Sequence, residues 1–186
     1  MSDTTSADTA SAKVAAANAP RPERPRPEFI AAQLRKPAGE FAPRIAQNMD
    51  SVNEPLFDLT LRCMDLAETR NVLEIGFGSG TFLPRLFVHH PHLKVTGVDY
   101  SPEVVSLATM NNDDLIAAGR LTLQAGRSDD LPLADASFDA AFANMVIYFW
   151  DQPALDLREV WRVLTPGGTF YTGFRPPKSF QNAPFA

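Results

Sequence analysis

One stretch constrains this chain more than any other: Val72-Leu73-Glu74-Ile75-Gly76-Phe77-Gly78-Ser79-Gly80-Thr81-Phe82-Leu83. An apolar run closes on three alternating glycines, and residues with helical spacing follow. Val72 to Ile75 read as a buried parallel strand, apolar except for Glu74. The glycines let the backbone turn tightly and keep side chains away from a ligand. A helix starting near Thr81 would then aim its first N–H groups at whatever lies over them. This is the opening of a nucleotide-type site.

Composition narrows the partners. The chain has 186 residues, 45% hydrophobic, which suits one domain with a tail. A net charge of −5 and a pI near 5.1 argue against a nucleic-acid partner. Cys63 is the single cysteine, which excludes an internal disulfide and a cysteine zinc cage and fits a reducing, cytoplasmic setting. No apolar run reaches the roughly 18 residues of a membrane span, and the N-terminus lacks the pattern of a secretory signal.

The organisation reads as four parts. Residues 1–28 form an Ala/Pro-rich tail with too little apolar surface to offset ordering entropy, and Arg21–Pro27 within it reads as extended linker. Residues 29–70 read as a helical cover, punctuated at Pro37-Ala38-Gly39. Its apolar face runs through Ile45, Met49, Val52, Leu56, Leu59 and Cys63, and Asn53-Glu54-Pro55 resembles a fresh helix start. This cover either caps the ligand site or only pads the sheet.

Residues 71–175 alternate strands and helices, and residues 176–186 are a C-terminal tail. Phe82, Leu83, Leu86 and Phe87 form the buried face of the first crossover helix. Strands follow at Val95–Asp99, Leu121–Ala125, Phe138–Ala143 and Thr169–Phe174. A helix runs from Ser101 towards Ala118, and another over Asp156–Leu164 buries Leu157, Val160, Trp161 and Leu164. Pro166-Gly167-Gly168 reads as a turn. His89, His90 and His92 read as solvated or helix-capping residues. Alternation of this kind predicts an α/β fold, a Rossmann-like three-layer sandwich with a mainly parallel sheet. Ligands in such sheets lie beyond the carboxyl ends of the strands. Gly76–Gly80 and Asp99 both fall there.

Asp99 stands roughly 20 residues beyond the glycine turn, where nucleotide folds place the acid that grips ribose hydroxyls. The pair is compatible with NAD, FAD or S-adenosylmethionine (SAM). Three details discriminate. Thr81 occupies the position where a dinucleotide fingerprint needs its third glycine. Glu74 would repel a diphosphate but attract the sulfonium and ammonium of SAM. No Gly-Lys-Ser/Thr follows, so the loop is not a P-loop.

On these residues the chain resembles the class I SAM-dependent methyltransferases, in particular small-molecule enzymes similar to those of ubiquinone and menaquinone biosynthesis. Val72–Gly80 looks like their first motif and Val95–Ser101 like their second. Leu131-Pro132-Leu133-Ala134-Asp135-Ala136-Ser137-Phe138-Asp139 and Arg162-Val163-Leu164-Thr165-Pro166-Gly167-Gly168 look like later ones. The resemblance implies SAM as cofactor and a small-molecule methyl acceptor. It implies that Glu74 and the backbone at Gly76 and Gly78 hold the methionine moiety, that Phe77 and Gly80 also belong to the cofactor site, and that Asp99 holds the ribose. It further implies Tyr100 beside the adenine, the Ser128 backbone at the adenine edge, and Asn144 near the methionine end of the cofactor and the methyl acceptor.

Two departures stand out against that family. Arg127 follows Gly126 where many members carry an acid, and a guanidinium cannot accept from the adenine amine; Asp129 or Asp130 are the nearby substitutes. The sheet also lacks the last two strands of full members, which reads as a shortened or fragmentary form with strand five as an open edge. No general base stands out: Tyr148 and Asn144 are candidates by position, and Phe149 and Trp150 could line an apolar acceptor pocket. The leading reading is a methyltransferase. A SAM-binding but inactive module and a nucleotide-dependent oxidoreductase are the alternatives, the latter opposed by Glu74 and Thr81.

Overall fold

A computed structural model describes residues 26–176. The expected tails over residues 1–25 and 177–186 lie outside the described residues. Helix α1 spans Pro27–Arg35, two residues ahead of the expected boundary, with Pro27 in its first turn. A short 3-10 turn, Gly39–Phe41, leads into α2, Ala42–Cys63. Then follow β1 (Asn71–Ile75), α3 (Leu83–His89), β2 (Lys94–Asp99), α4 (Pro102–Asn111), α5 (Asp113–Ala117) and β3 (Leu121–Ala125). The chain continues through β4 (Phe138–Asn144), a 3-10 turn at Ile147–Phe149, α6 (Pro153–Val163) and β5 (Leu164–Gly173).

The five strands form one parallel sheet in the order β3-β2-β1-β4-β5. The expected α/β sandwich is therefore present, with β3 and β5 as its edges among the described residues. β1 lies at the centre and is buried on both faces. One face packs Val72, Val95 and Phe142 against Phe57 of α2 and Leu83, Leu86 and Phe87 of α3. The other packs Leu73, Ile75, Val98 and Ala141 against Val160 and Val163 of α6 and Leu131 of the preceding loop. At the amino-terminal end, Asp139 Oδ2 accepts from the Arg70 and Asn71 amides at 2.8 and 2.9 Å and locks β4 to β1.

Several local expectations are corrected. α2 is a single helix of 22 residues with Pro55 inside it, so Asn53-Glu54-Pro55 is not a fresh helix start. An interior proline costs about 3 kcal/mol. Packing of Phe57 and the ion pairs from Glu54 and Asp58 to Arg85 hold the helix together across that point. Its buried face is Ala42, Ala46, Phe57 and Thr60, whereas Val52, Leu59 and Cys63 of the expected face are exposed. The apolar stripe is wider than one contact face can bury, and the helix is turned so that Met49, Asp50 and Asn53 look towards the strand ends.

A similar rotation affects α6. Leu157 and Trp161 are exposed, 48% and 79%, and the buried face is Asp156, Val160 and Val163. The helix expected to run on to Ala118 breaks at Asn112, whose buried side-chain amide donates to Ala108 O at 2.8 Å and Gly80 O at 3.1 Å. The turn expected at Pro166–Gly168 is instead part of β5. Leu164 pairs with Phe138, and the register resumes with Thr169 against Ala140 across a bulge.

Candidate functional site

Short backbone bonds fix the carboxyl ends of the first three strands relative to one another. Gly76 N donates to Val98 O at 2.7 Å, and Gly126 N donates to Asp99 O at 2.9 Å. The glycine loop, Asp99 and the loop after β3 therefore converge. They border a cavity of about 240 Å³, which Met49, Asp50, Asn53 and Phe57 of α2 close from above. The helical cover both borders the cavity and packs Phe57 against the sheet.

The glycines divide the work. Gly76 has φ +76, and a Cβ there would sit 2.4 Å from Val146 Cγ2. Gly78 has φ +60 and open space where its Cβ would be, so its backbone is presented to the cavity. Gly80 does not line the cavity. A Cβ on it would meet Ala108 and the Asn112 amide at 2.8 Å, so it serves the docking of the loop on α4 rather than a ligand. Phe77 borders the cavity but is mostly buried, its ring lying over Gly97.

Glu74 is 4% exposed and lines the cavity, and its Oε2 has no hydrogen-bond partner. Burial, and then the charge of Asp99, push its carboxyl up to about 8. Asp99 accepts from Gly78 N at 3.1 Å through Oδ2 and from Ser101 N at 3.0 Å through Oδ1. Burial raises its carboxyl above the ordinary range, and these amide bonds oppose the rise. Each carboxyl oxygen has a further lone pair to offer. The result is two buried acids on the cavity wall, and among the described residues no salt bridge reaches either of them.

Tyr100 is partly exposed at the cavity rim, with the Lys36 ammonium 4.0 Å from its ring centroid and the Arg127 guanidinium 5.6 Å away. Ser128 lines the cavity, and its hydroxyl donates to Asp156 Oδ1 at 2.5 Å. Asn144 also lines it: Oδ1 accepts from Thr60 Oγ at 2.8 Å, and the buried Nδ2 has no partner. Met145, next in sequence, takes φ +60, a strained conformation for a side-chain-bearing residue at a site. Phe149 and Trp150 border the cavity as well. Tyr148 does not; its hydroxyl donates to Arg175 O at 2.7 Å and accepts from Arg175 N at 2.6 Å, clamping the segment after β5.

Two acids on the cavity wall carried no distinguishing signal in the sequence. Asp50 of α2 accepts from Ser79 Oγ at 2.7 Å and Thr81 Oγ at 2.8 Å, tying the cover to the glycine loop. Asp156 of α6 is 3% exposed. Both lie in helices about 30 residues from their partners, where an acid reads as a solvated position.

Residues 73–172 match the family described as methyltransferase domain, and that match takes in more than half of the chain. The chain belongs to the class I SAM-dependent methyltransferases. Among the relatives of this methyltransferase-family chain is the demethylmenaquinone methyltransferase of Deinococcus radiodurans, 29% identical over 171 residues, covering 81% of the chain and 69% of the relative. The ubiquinone/menaquinone biosynthesis C-methyltransferase UbiE of Geotalea daltonii is 32% identical over 107 residues, 55% of the chain and 44% of the relative. The chain thus spans less than half of that relative's length. In fold it is similar to a SAM-dependent methyltransferase from Aquifex aeolicus, with a TM-score of 0.58 and 24% identity over 68% of this chain and 69% of that one.

SAM is the methyl donor of this family, and the cavity suits it on its own geometry. The unpartnered Glu74 oxygen lies beside a glycine loop whose open face is Gly78 backbone. Two buried acids favour a cationic ligand and disfavour a diphosphate. Among the described residues, no helix is long and apolar enough to cross a membrane.

Proposed function

We propose that the chain binds SAM in this cavity and transfers its methyl group to a small-molecule acceptor. The observation that carries the reading is Glu74: a buried carboxyl with an orphaned oxygen, beside the glycine loop and across from Asp99. A ligand with fixed positive charge supplies what that carboxyl lacks. Bound SAM brings an already activated methyl group.

The chain's residues then have three tasks. Glu74 and the Gly76–Gly78 backbone hold the methionine end, and Asp99 takes the ribose hydroxyls through the lone pairs its amide bonds leave over. The second task is to exclude water, and α2 does this through Met49 and Phe57, with Asp50 fastening it to Ser79 and Thr81. The third is to align the acceptor, which is where proximity effects yield most of the rate gain. Phe57, Phe149 and Trp150 provide apolar wall, and the unpartnered N–H groups of Asn144 Nδ2 and Trp150 Nε1 provide polar points near the ends of β4 and β5. Tyr148 is withdrawn from the base role by its Arg175 clamp. The acceptor therefore arrives as a competent nucleophile or loses its proton to water.

The test is transfer of labelled methyl from SAM to a panel of quinols, phenols and fatty acceptors. Transfer to at least one class supports the reading. SAM binding with no transfer to any of them contradicts the catalytic part and leaves a SAM-binding module.

A further inference from the structure

Resting on the SAM reading above, we propose that Asp156 accepts the hydrogen bond from the exocyclic amine of the cofactor's adenine. The sheet order β3-β2-β1 sets three strand ends side by side, about 4.8 Å apart. Glu74 at the end of β1 draws the cationic half of the ligand, and Asp99 at the end of β2 draws the ribose. The ribose joins the methionine half to the base, so the base falls on the β3 side. There the cavity is lined by Tyr100, Gly126, Arg127, Ser128, Asp129 and Asp156.

An adenine amine donates and needs an acceptor. Arg127 has donors only. Its Nε and Nη2 hold Asp129 Oδ1 and Oδ2 at 2.7 and 2.6 Å, so the charge of Asp129 is already met by a cation, and that pairing keeps Asp129 below the usual carboxylate range. Asp130 does not line the cavity. The Ser128 hydroxyl spends its proton on Asp156. Asp156 is the other acid on this wall. It is 97% buried, given its 3% exposure, and lines the cavity. Among the described residues it has no cationic partner, and Ser128 is its one side-chain donor.

Its setting explains how an acid comes to be there. Asp156, Glu159 and Arg162 form a stripe on α6 at helical spacing of three, facing the loop after β3. Glu159 Oε2 accepts from Leu131 N at 2.9 Å, and Arg162 donates to Leu131 O at 3.0 Å and Leu133 O at 2.8 Å. Those two residues hold the loop and are satisfied by it. Asp156 lies one turn nearer the cavity, with lone pairs that one hydroxyl does not fill. A carboxylate lone pair that opens on the cavity can accept a ligand N–H. The carboxyl that the Arg127 departure removes from the loop is thus replaced from the helix beneath it.

The test compares binding of S-adenosylhomocysteine, its N6,N6-dimethyl analogue and S-inosylhomocysteine by calorimetry. Wild type is expected to favour the adenine form over both analogues by at least about tenfold, because each lacks the donated hydrogens. In Asp156→Asn, whose amide both donates and accepts, the adenine-to-inosine ratio is expected to fall to within about threefold of unity. Ser128→Ala, which leaves the Asp156 carboxyl in place, is expected to keep the preference. Equal binding of the three ligands by wild type, or an unchanged ratio in Asp156→Asn, overturns the assignment while leaving the cofactor reading intact. Wild type that binds none of the three overturns both.

Discussion

The buried carboxyl of Glu74 makes SAM binding depend on pH in a way that can be worked out. Without ligand, Glu74 holds its proton up to about 8, because of burial first and the Asp99 charge second. A sulfonium and an ammonium beside it favour the ionised form, so the bound-state value is lower. Binding then releases a proton, and affinity rises with pH up to about 8. Below that, each pH unit costs up to about tenfold, so at pH 6 the affinity falls by as much as about a hundredfold from its plateau. Calorimetry at pH 6, 7, 8 and 9, in buffers of differing ionisation enthalpy, reads both the affinity and the released proton. Glu74→Gln is the reference, since it keeps the shape of the side chain and cannot titrate. Titration of the ligand's own amine is then common to both proteins. The expected result is a wild-type-to-variant affinity ratio that climbs at least about tenfold, and up to about a hundredfold, from pH 6 to 9. Parallel profiles, with no released proton in wild type, would refute the reasoning.

Other consequences concern the ligand-free chain and the neighbours of Glu74. In the unfolded chain Glu74 ionises near its ordinary value of 4.5, whereas folded it does so near 8. Its contribution to stability is therefore present below 4.5 and lost as pH rises to about 8. Glu74→Gln should raise the melting temperature at pH 9 by at least about 2–4 °C, the equivalent of 1 kcal/mol in a chain of this size; an unchanged or lower value contradicts the burial argument. Asp99→Ala should weaken SAM binding at least tenfold, since a charged hydrogen bond is worth about 1.5–3 kcal/mol, and unaltered calorimetric affinity would rule out its ribose role. Gly76→Ala should destabilise more than Gly78→Ala in denaturant titrations, because its Cβ would lie 2.4 Å from Val146 whereas that of Gly78 meets nothing within 4 Å. Gly78→Ala should instead weaken SAM binding. Asp50→Ala leaves the buried Ser79 hydroxyl without its acid and should cost about 1–3 kcal/mol; hydrogen exchange should show α2 opening faster, and unchanged protection would contradict the fastening role.

The parallel sheet and the meeting of the glycine turn with Asp99 at its carboxyl ends were readable because their signals are local. The apolar run before Gly76, the Asp99 that closes β2, and Gly119 with φ +65 at the end of α5 each act within a few residues. Glu74 was legible for a related reason: a charge inside a buried strand needs a partner. What escaped was set by contacts between distant segments. The faces of α2 and α6 were misjudged because their apolar stripes are broad and only packing chooses which part is covered. Pro55 looked like a start because its cost is visible in sequence, whereas the Arg85 ion pairs and the Phe57 packing that offset it are not. The bulge that takes Pro166–Gly168 into β5 depends on the pairing of Leu164 with Phe138. Asp50 and Asp156 form bonds across 29 to 31 and 28 residues, and no periodicity marks them.

The central claim is that the cavity over the glycine loop is built for SAM. Calorimetry of the chain with SAM and with NAD, at pH 8, where about half of Glu74 is ionised before binding, tests it most directly. The claim predicts saturable one-to-one binding of SAM and no heat of binding from NAD. Tight binding of NAD with no SAM signal would contradict it.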